Sequence, residues 1–264
     1  MVWAHTPTGA QVWLCPASSA QAGLIPPPVY LGFGPGLTSG SLGGVEQSVE
    51  IDVPEVGVLQ ADWSAVSPEG PLVVFAHGSG SSRRSPRNRA VAAHLQACGF
   101  GTLLLDLLTA PEDEVEQRGG RLRFDVDQLA TRLVSVVAWV DGRLESPPPI
   151  GYFGASTGAG GALVAAARQG QRIFAIVSRG GRPDLAGAAL PLVTAPTLLI
   201  VGGDDREVAE VNAAALRQLG GPRHLEIVPG ATHLFAEPGM LGQVAQLAAA
   251  WFVRWLPHEP NDAF

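Results

Sequence analysis

Gly154-Ala155-Ser156-Thr157-Gly158 sets a serine between two glycines in the pattern G-x-S-x-G. The apolar run before it and the Ala-rich run after it read as a strand turning sharply into a helix. A serine at such an apex stands in a strained conformation with its hydroxyl exposed, and the glycines give the close room the turn needs. The helix N-terminus then offers positive dipole and backbone N–H groups to a developing oxyanion. A serine hydroxyl is a weak nucleophile and needs a base. His233, in Pro229-Gly230-Ala231-Thr232-His233-Leu234-Phe235, follows the last expected strand and precedes the last helix, which is the place for a base in the chain order Ser, Asp, His. The base needs an acid to fix its tautomer. Asp205 fills that role in Gly203-Asp204-Asp205-Arg206, with Asp204 as its nearest competitor and Asp184 as a second. Asp106 ends a strand ahead of the serine and reads as structural.

The backbone N–H after the nucleophile, that of Thr157, is one oxyanion donor. The loop His77-Gly78-Ser79-Gly80-Ser81-Ser82 supplies a second, most directly from Ser79, with His77 bracing the loop. Behind it lies Arg83-Arg84-Ser85-Pro86-Arg87-Asn88-Arg89. Four cations at a helix N-terminus oppose the helix dipole, so acidic neighbours or an anionic substrate should offset them. Arg83, Arg87 and Arg179 are the candidate substrate-binding cations; the other reading is a solvated or salt-bridged face.

The elements that must position these groups alternate along the chain. Ser48–Val53 and Val58–Trp63 read as an opening antiparallel pair. Leu72–Ala76, Thr102–Asp106, Ile150–Gly154, Phe174–Ser178, Thr197–Val201 and Leu225–Val228 read as further strands, several of them uninterrupted apolar runs of the kind buried on both faces. Helices are expected after Ser85, from Phe124 to about Val140, and over Thr157–Arg168, Glu207–Leu219 and Met240–Trp255. The alternation implies an α/β fold, a doubly wound, mostly parallel sheet with helices on both faces, and ligands bind outside the carboxyl ends of its strands. Residues 1–45 hold no Asp, Glu, Lys or Arg and show no lasting period. They read as an arm ahead of a catalytic domain at 46–264. The arm is a surface leader, a flap or a homo-oligomer contact.

The chain has 264 residues and a net charge of −7, and all 17 of its Lys and Arg positions are Arg. The absence of Lys excludes Schiff-base chemistry and a Lys-bearing phosphate loop. The negative balance argues against general nucleic-acid binding. No apolar run is long enough to span a membrane, and the first residues lack the basic start of a secretory signal. Cys15 and Cys98 read as reduced thiols of a cytoplasmic protein, with one disulfide between them as the alternative.

Residues 75–89 (FAHGSGSSRRSPRNR), 102–109 (TLLLDLLT), 151–167 (GYFGASTGAGGALVAAA), 178–187 (SRGGRPDLAG), 196–205 (PTLLIVGGDD) and 229–239 (PGATHLFAEPG) resemble the α/β-hydrolase superfamily. More narrowly they resemble the dienelactone-hydrolase-like bacterial group often fused behind a phosphoribosyltransferase-like domain. The resemblance implies the hydrolase fold and a Ser156–Asp205–His233 triad. Two differences stand out. Dienelactone hydrolases proper use a cysteine nucleophile where this chain has Ser156, and residues 1–45 do not resemble the phosphoribosyltransferase-like domain, so no transferase activity is carried over. The expected function is hydrolysis of carboxylic esters of small to medium acyl groups, since no long lid insertion is evident, with no metal or organic cofactor needed. The alternatives are acyl transfer at the same site and a hydrolase-fold binding domain without chemistry.

Overall fold

The computed structural model describes residues 2–5, 11–14, 46–67 and 70–257. Strands β1 (Val2–His5) and β2 (Gln11–Leu14) pair antiparallel as a sheet of their own. Both strands fall in the arm at 1–45, where the sequence shows no lasting period, and the arm's role lies outside the described residues.

The main sheet opens with the antiparallel pair β3 (Gln47–Val53) and β4 (Gly57–Ser64), in which Ile51 faces Leu59. It continues with β5 (Leu72–Ala76), β6 (Gly101–Leu105), β7 (Ile150–Ala155), β8 (Ile173–Arg179), β9 (Thr197–Gly202) and β10 (Arg223–Val228), in the spatial order β10-β9-β8-β7-β5-β6-β4-β3. From β10 to β6 every neighbouring pair is parallel. Each residue of β5 through β9 is buried, which is why these strands read as unbroken apolar runs.

Two cores lie on opposite faces. Successive strand side chains point to opposite sides, so Tyr152 and Ile176 join one core while their neighbours Phe153 and Val177 join the other. Helix α1 (Pro86–Ala97) contributes Val91 and Leu95 to the second. It starts at Ser85, whose hydroxyl accepts the Asn88 N–H at 3.3 Å, with Pro86 in the first position. Helix α2 (Ala110–Gln117) buries no residue and is held by its cap, the Thr109 N–H donating to Glu112 at 2.8 Å. Helix α3 (Val126–Arg143) lays Leu129, Leu133, Val136, Val137 and Val140 along the first core, the stripe its sequence predicts. Helix α4 (Thr157–Gln169) packs beside it, and α5 (Arg206–Leu216) adds Ala215. Helix α6 (Met240–Trp255) closes the second core with Val244, Ala248 and Phe252. A 3₁₀ stretch, Pro183–Leu192, links β8 to β9. Cys98, buried just past α1, is disulfide-bonded, which corrects the reading of it as a reduced thiol; Cys15 lies outside the described residues. No helix among the described residues is long and apolar enough to cross a membrane.

The loop after β5 is held from inside. His77 donates from Nδ1 to the Gly78 carbonyl at 2.9 Å, and its Nε2 accepts the Leu107 N–H at 3.1 Å. Those partners fix one neutral tautomer. Burial holds its pKa below the ordinary histidine value, against the opposing pull of the Gly78 carbonyl and Asp106.

Two stability predictions follow from this packing. Leu133→Ala should lower Tm by roughly 5–15 °C in thermal denaturation, since emptying a buried leucine site costs about 2–5 kcal/mol in a domain of this size. The second concerns pH. An unfolded histidine takes up its proton near pH ~6.5 and the folded His77 resists it, so its stabilising contribution is complete above that pH and declines on acidification. The Tm advantage of the native protein over His77→Gln should therefore narrow as pH falls from about 7 to about 5.

Candidate active site

Ser156 stands between β7 and α4 with φ 50° and ψ −123°, a strained setting for a residue with a side chain. Its surroundings enforce it. A β-carbon on Gly158 would strike the carbonyl oxygens of His77 and Ala76, and one on Gly154 would strike the backbone of Ala159. Both glycines of the motif are thus demanded by close backbone approach. The loop after β5 presses on the serine too: a β-carbon on Gly78 would lie 2.9 Å from that of Ser156. The Ser156 N–H donates to the Arg179 carbonyl at 3.2 Å, and its own carbonyl accepts the N–H groups of Arg182 at 3.0 Å and Ala159 at 3.1 Å.

His233 and Asp205, 28 residues apart, meet at 2.6 Å between Nδ1 and Oδ2. Asp205 is the N-cap residue of α5 but its side chain makes no cap bond, which leaves the carboxylate to the imidazole. Its competitors are elsewhere: Asp204 is exposed, Asp184 pairs with Arg182 at 2.7 Å, and Asp106 accepts the Arg83 N–H at 2.7 Å. The His233 loop is closed by Glu237, which accepts from the Thr232 hydroxyl at 2.6 Å and its N–H at 3.2 Å. Gly180 forms the wall beneath His233, and a β-carbon there would lie 3.4 Å from its Cε1. The imidazole therefore sits over the strand end that also carries the hydrogen bond to Ser156, with Nδ1 turned to the acid.

Thr157 and Ser79 also come together. The Ser79 N–H donates to the Thr157 hydroxyl oxygen at 3.0 Å. Ser79 thus faces the start of α4 as its sequence position suggests, but its N–H is engaged by a side chain that the sequence alone does not nominate.

The arginines sort into two groups. Arg83 is taken by Asp106 and lies 3.4 Å from Asp62, so its guanidinium is neutralised within the protein and its reading as a substrate contact is not carried forward. Arg89 pairs with Glu46 at 2.7 Å and Asp62 at 3.1 Å. The Arg179 side chain is buried and, among the described residues, donates to Asn88 Oδ1 at 3.3 Å.

Residues 180–182, just past the candidate Arg179, contribute through backbone: the Gly180 wall under His233 and the Arg182 N–H on Ser156. A Gly-Gly pair directly after a buried strand is the signal for such close approach.

No family model matches the chain. Two curated relatives from Mycobacterium tuberculosis, strains CDC 1551 and H37Rv, carry the name phosphoribosyl transferase and are each 57% identical over 189 residues. The match covers 70% of this chain, and the chain spans only 42% of their length. Among solved structures, a dienelactone hydrolase from Anabaena variabilis superposes with a TM-score of 0.78 at 52% identity, over 81% of this chain and 99% of that one. Est1E from Butyrivibrio proteoclasticus (TM-score 0.65, 18% identity, 79% and 98% covered) and an esterase from Pyrococcus furiosus (0.64, 17%, 81% and 92%) share the fold. With half of its residues shared along nearly the whole Anabaena protein, the chain belongs to the dienelactone hydrolase family of α/β-hydrolases.

Proposed function

We propose that the chain is a serine hydrolase that cleaves carboxylic esters of small to medium acyl groups. The observation that carries this reading is the 2.6 Å contact of His233 with Asp205 beside a serine held at positive φ. A site without chemistry has no physical need for that strain, which costs on the order of 1–3 kcal/mol.

In this reading Ser156 Oγ attacks the ester carbonyl while His233 Nε2 accepts its proton. Asp205 accepts the hydrogen bond from Nδ1–H and stabilises the imidazolium. The negative oxygen of the tetrahedral intermediate takes the N–H groups of Thr157 and Ser79. Their mutual hydrogen bond supports this, because it brings both donor residues to one point; the incoming oxygen would replace the Thr157 hydroxyl as acceptor for Ser79. Collapse breaks the ester C–O bond, and His233 returns the proton to the departing alcohol. Water then attacks the acyl-serine with His233 again as base, which frees the acid and restores Ser156.

The serine distinguishes this site from the cysteine of dienelactone hydrolases proper. It favours ordinary esters, since an alkoxide formed at an oxygen needs the full base and acid pair that His233 and Asp205 provide. The transferase name of the longer relatives is not extended to this chain, whose converging groups suit acyl cleavage.

The test is turnover of p-nitrophenyl esters of graded acyl length. Ser156→Ala should lower kcat by at least ~10³-fold, and Asp205→Asn by roughly 10²–10⁴-fold, with circular dichroism unchanged in both. A fluorophosphonate should add once to the native protein, at Ser156, and hardly at all to His233→Ala. Native protein that is folded yet inert to both reagents would overturn the reading.

A further inference from the structure

Arg132, in the middle of α3, is 2% exposed, although its helix neighbours Leu129, Leu133 and Val136 belong to an apolar core. Its Nη1 donates to the Leu107 carbonyl at 2.5 Å and its Nη2 to Glu112 Oε1 at 2.6 Å, with Gln128 Oε1 at 3.4 Å from the same nitrogen. The other Glu112 oxygen accepts the Thr109 N–H at 2.8 Å and the Thr109 hydroxyl at 2.9 Å, the cap that starts α2. One guanidinium therefore clamps the chain from Leu107 to Glu112 against α3. Stability alone does not call for it, because apolar residues of similar volume commonly serve as well as a buried ion pair.

The clamped segment leads to the loop after β5. The Leu107 N–H donates to His77 Nε2 at 3.1 Å, which leaves the imidazole proton on Nδ1, donating to the Gly78 carbonyl at 2.9 Å. The same carbonyl accepts the Ser81 N–H at 3.2 Å. The Gly78 carbonyl and the Ser79 N–H belong to one peptide unit, and in a trans peptide the two point in opposite directions. Holding the oxygen on His77 therefore aims the N–H the other way, where Thr157 Oγ1 accepts it at 3.0 Å. The same peptide turned over would present an oxygen where a donor is needed. Were the Leu107 N–H withdrawn, the imidazole proton could move to Nε2, and Nδ1 would then face the Gly78 oxygen as a second acceptor.

We propose that Arg132, held by Glu112, is a positioning residue for the oxyanion hole: through the Leu107 backbone and His77 it fixes which way the Gly78–Ser79 peptide faces. It touches neither Ser156 nor His233 and acts only by keeping the Ser79 N–H turned toward the start of α4. Its catalytic consequence rests on the hydrolase reading; its hold on the His77 tautomer does not.

Two measurements on folded Arg132→Met test it. The first is turnover of p-nitrophenyl butyrate. The variant should lose at least ~10-fold in kcat with KM within about threefold of native, the pattern of an interaction made only in the transition state. Arg132→Lys, which keeps a donor for the Leu107 carbonyl, should recover most of that loss. The second is nitrogen-15 NMR of the imidazoles, with the His77 signals identified by their loss in His77→Gln. Native His77 should hold its proton on Nδ1, and in Arg132→Met the proton should divide between the two nitrogens. Where Arg132→Met does not fold, Glu112→Ala carries both readouts, since that side chain is 26% exposed. A merely structural arginine would lower Tm and leave kcat per folded molecule and the tautomer as they are. If the native protein cleaves the ester and either readout is unchanged in the folded variant, the relay falls and the hydrolase reading stands. If the native protein cleaves no ester, the tautomer alone decides: its redistribution keeps the relay while the hydrolase reading falls, and its persistence overturns the relay too.

Discussion

The site depends on how closely the start of α4 approaches the ends of β5 and β7. Ser156 can point its hydroxyl outward only at positive φ, and that conformation persists only if the surrounding backbone leaves no alternative. Gly158 lets α4 press on the carbonyls of Ala76 and His77, and Gly154 lets β7 press on Ala159. Three backbone hydrogen bonds then fix Ser156 on both sides, to Arg179, Arg182 and Ala159. At about 1 kcal/mol net each they are of the same order as the strain they hold, roughly 1–3 kcal/mol. The geometry of Ser156 is thus set by strand spacing and by three contacts that lie outside its own motif.

Charge at the carboxyl edge follows from which way α1 turns its arginines. Residues 87 and 89 are two apart, about 200° around a helix, so they face nearly opposite directions. Arg89 turns toward the antiparallel margin of the sheet, where Glu46 and Asp62 of the β3–β4 hairpin meet it. Arg83, in the preceding loop, is met by Asp62 and by Asp106 at the end of β6. Arg87 is half-buried and has no carboxylate in salt-bridge reach among the described residues. The segment's positive charge is therefore neutralised at Arg83 and Arg89 and not at Arg87.

Most of the fold was legible because its signals are local. β5 and α6 keep the bounds the sequence suggests, and the other main strands and helices shift by one to three residues at their ends. α2 was missed because it buries nothing, so no apolar period marks it; only Thr109 with Glu112 three residues on announced a helix start. The 3₁₀ stretch over Pro183–Leu192 contains Pro191 and a kink at Gly187, which breaks any helical reading. In the site, the contact of Asp205 with His233 is read from the structure, while Ser156, His233 and the pair Asp204-Asp205 came from position after a strand. The sorting of the arginines could not, because Asp62 and Asp106 lie some 20 residues from the cations they neutralise and only the sheet order brings them near. The engagement of the Ser79 N–H by Thr157 spans 78 residues and was equally hidden.

The segment after β8 is where the separate parts become one device. Arg179 holds Ser156 through its carbonyl and Asn88 through its guanidinium. Gly180 donates its N–H to Ile200 at 2.8 Å and presents a surface without a side chain to His233. The Gly181 carbonyl accepts from Asn212 at 2.9 Å, and Asn212, wholly buried, belongs to the helix whose N-cap is Asp205. Ser156, His233 and Asp205 are thus each referenced to four consecutive residues, although they come from three different strand ends. A side chain at 180 or 181 would have to move either His233 or the end of β8, since a β-carbon at 181 collides with the Ser178 hydroxyl. Two glycines between two arginines are what this shared reference requires: bare backbone where His233 and the end of β8 lean, and charge on either side of it.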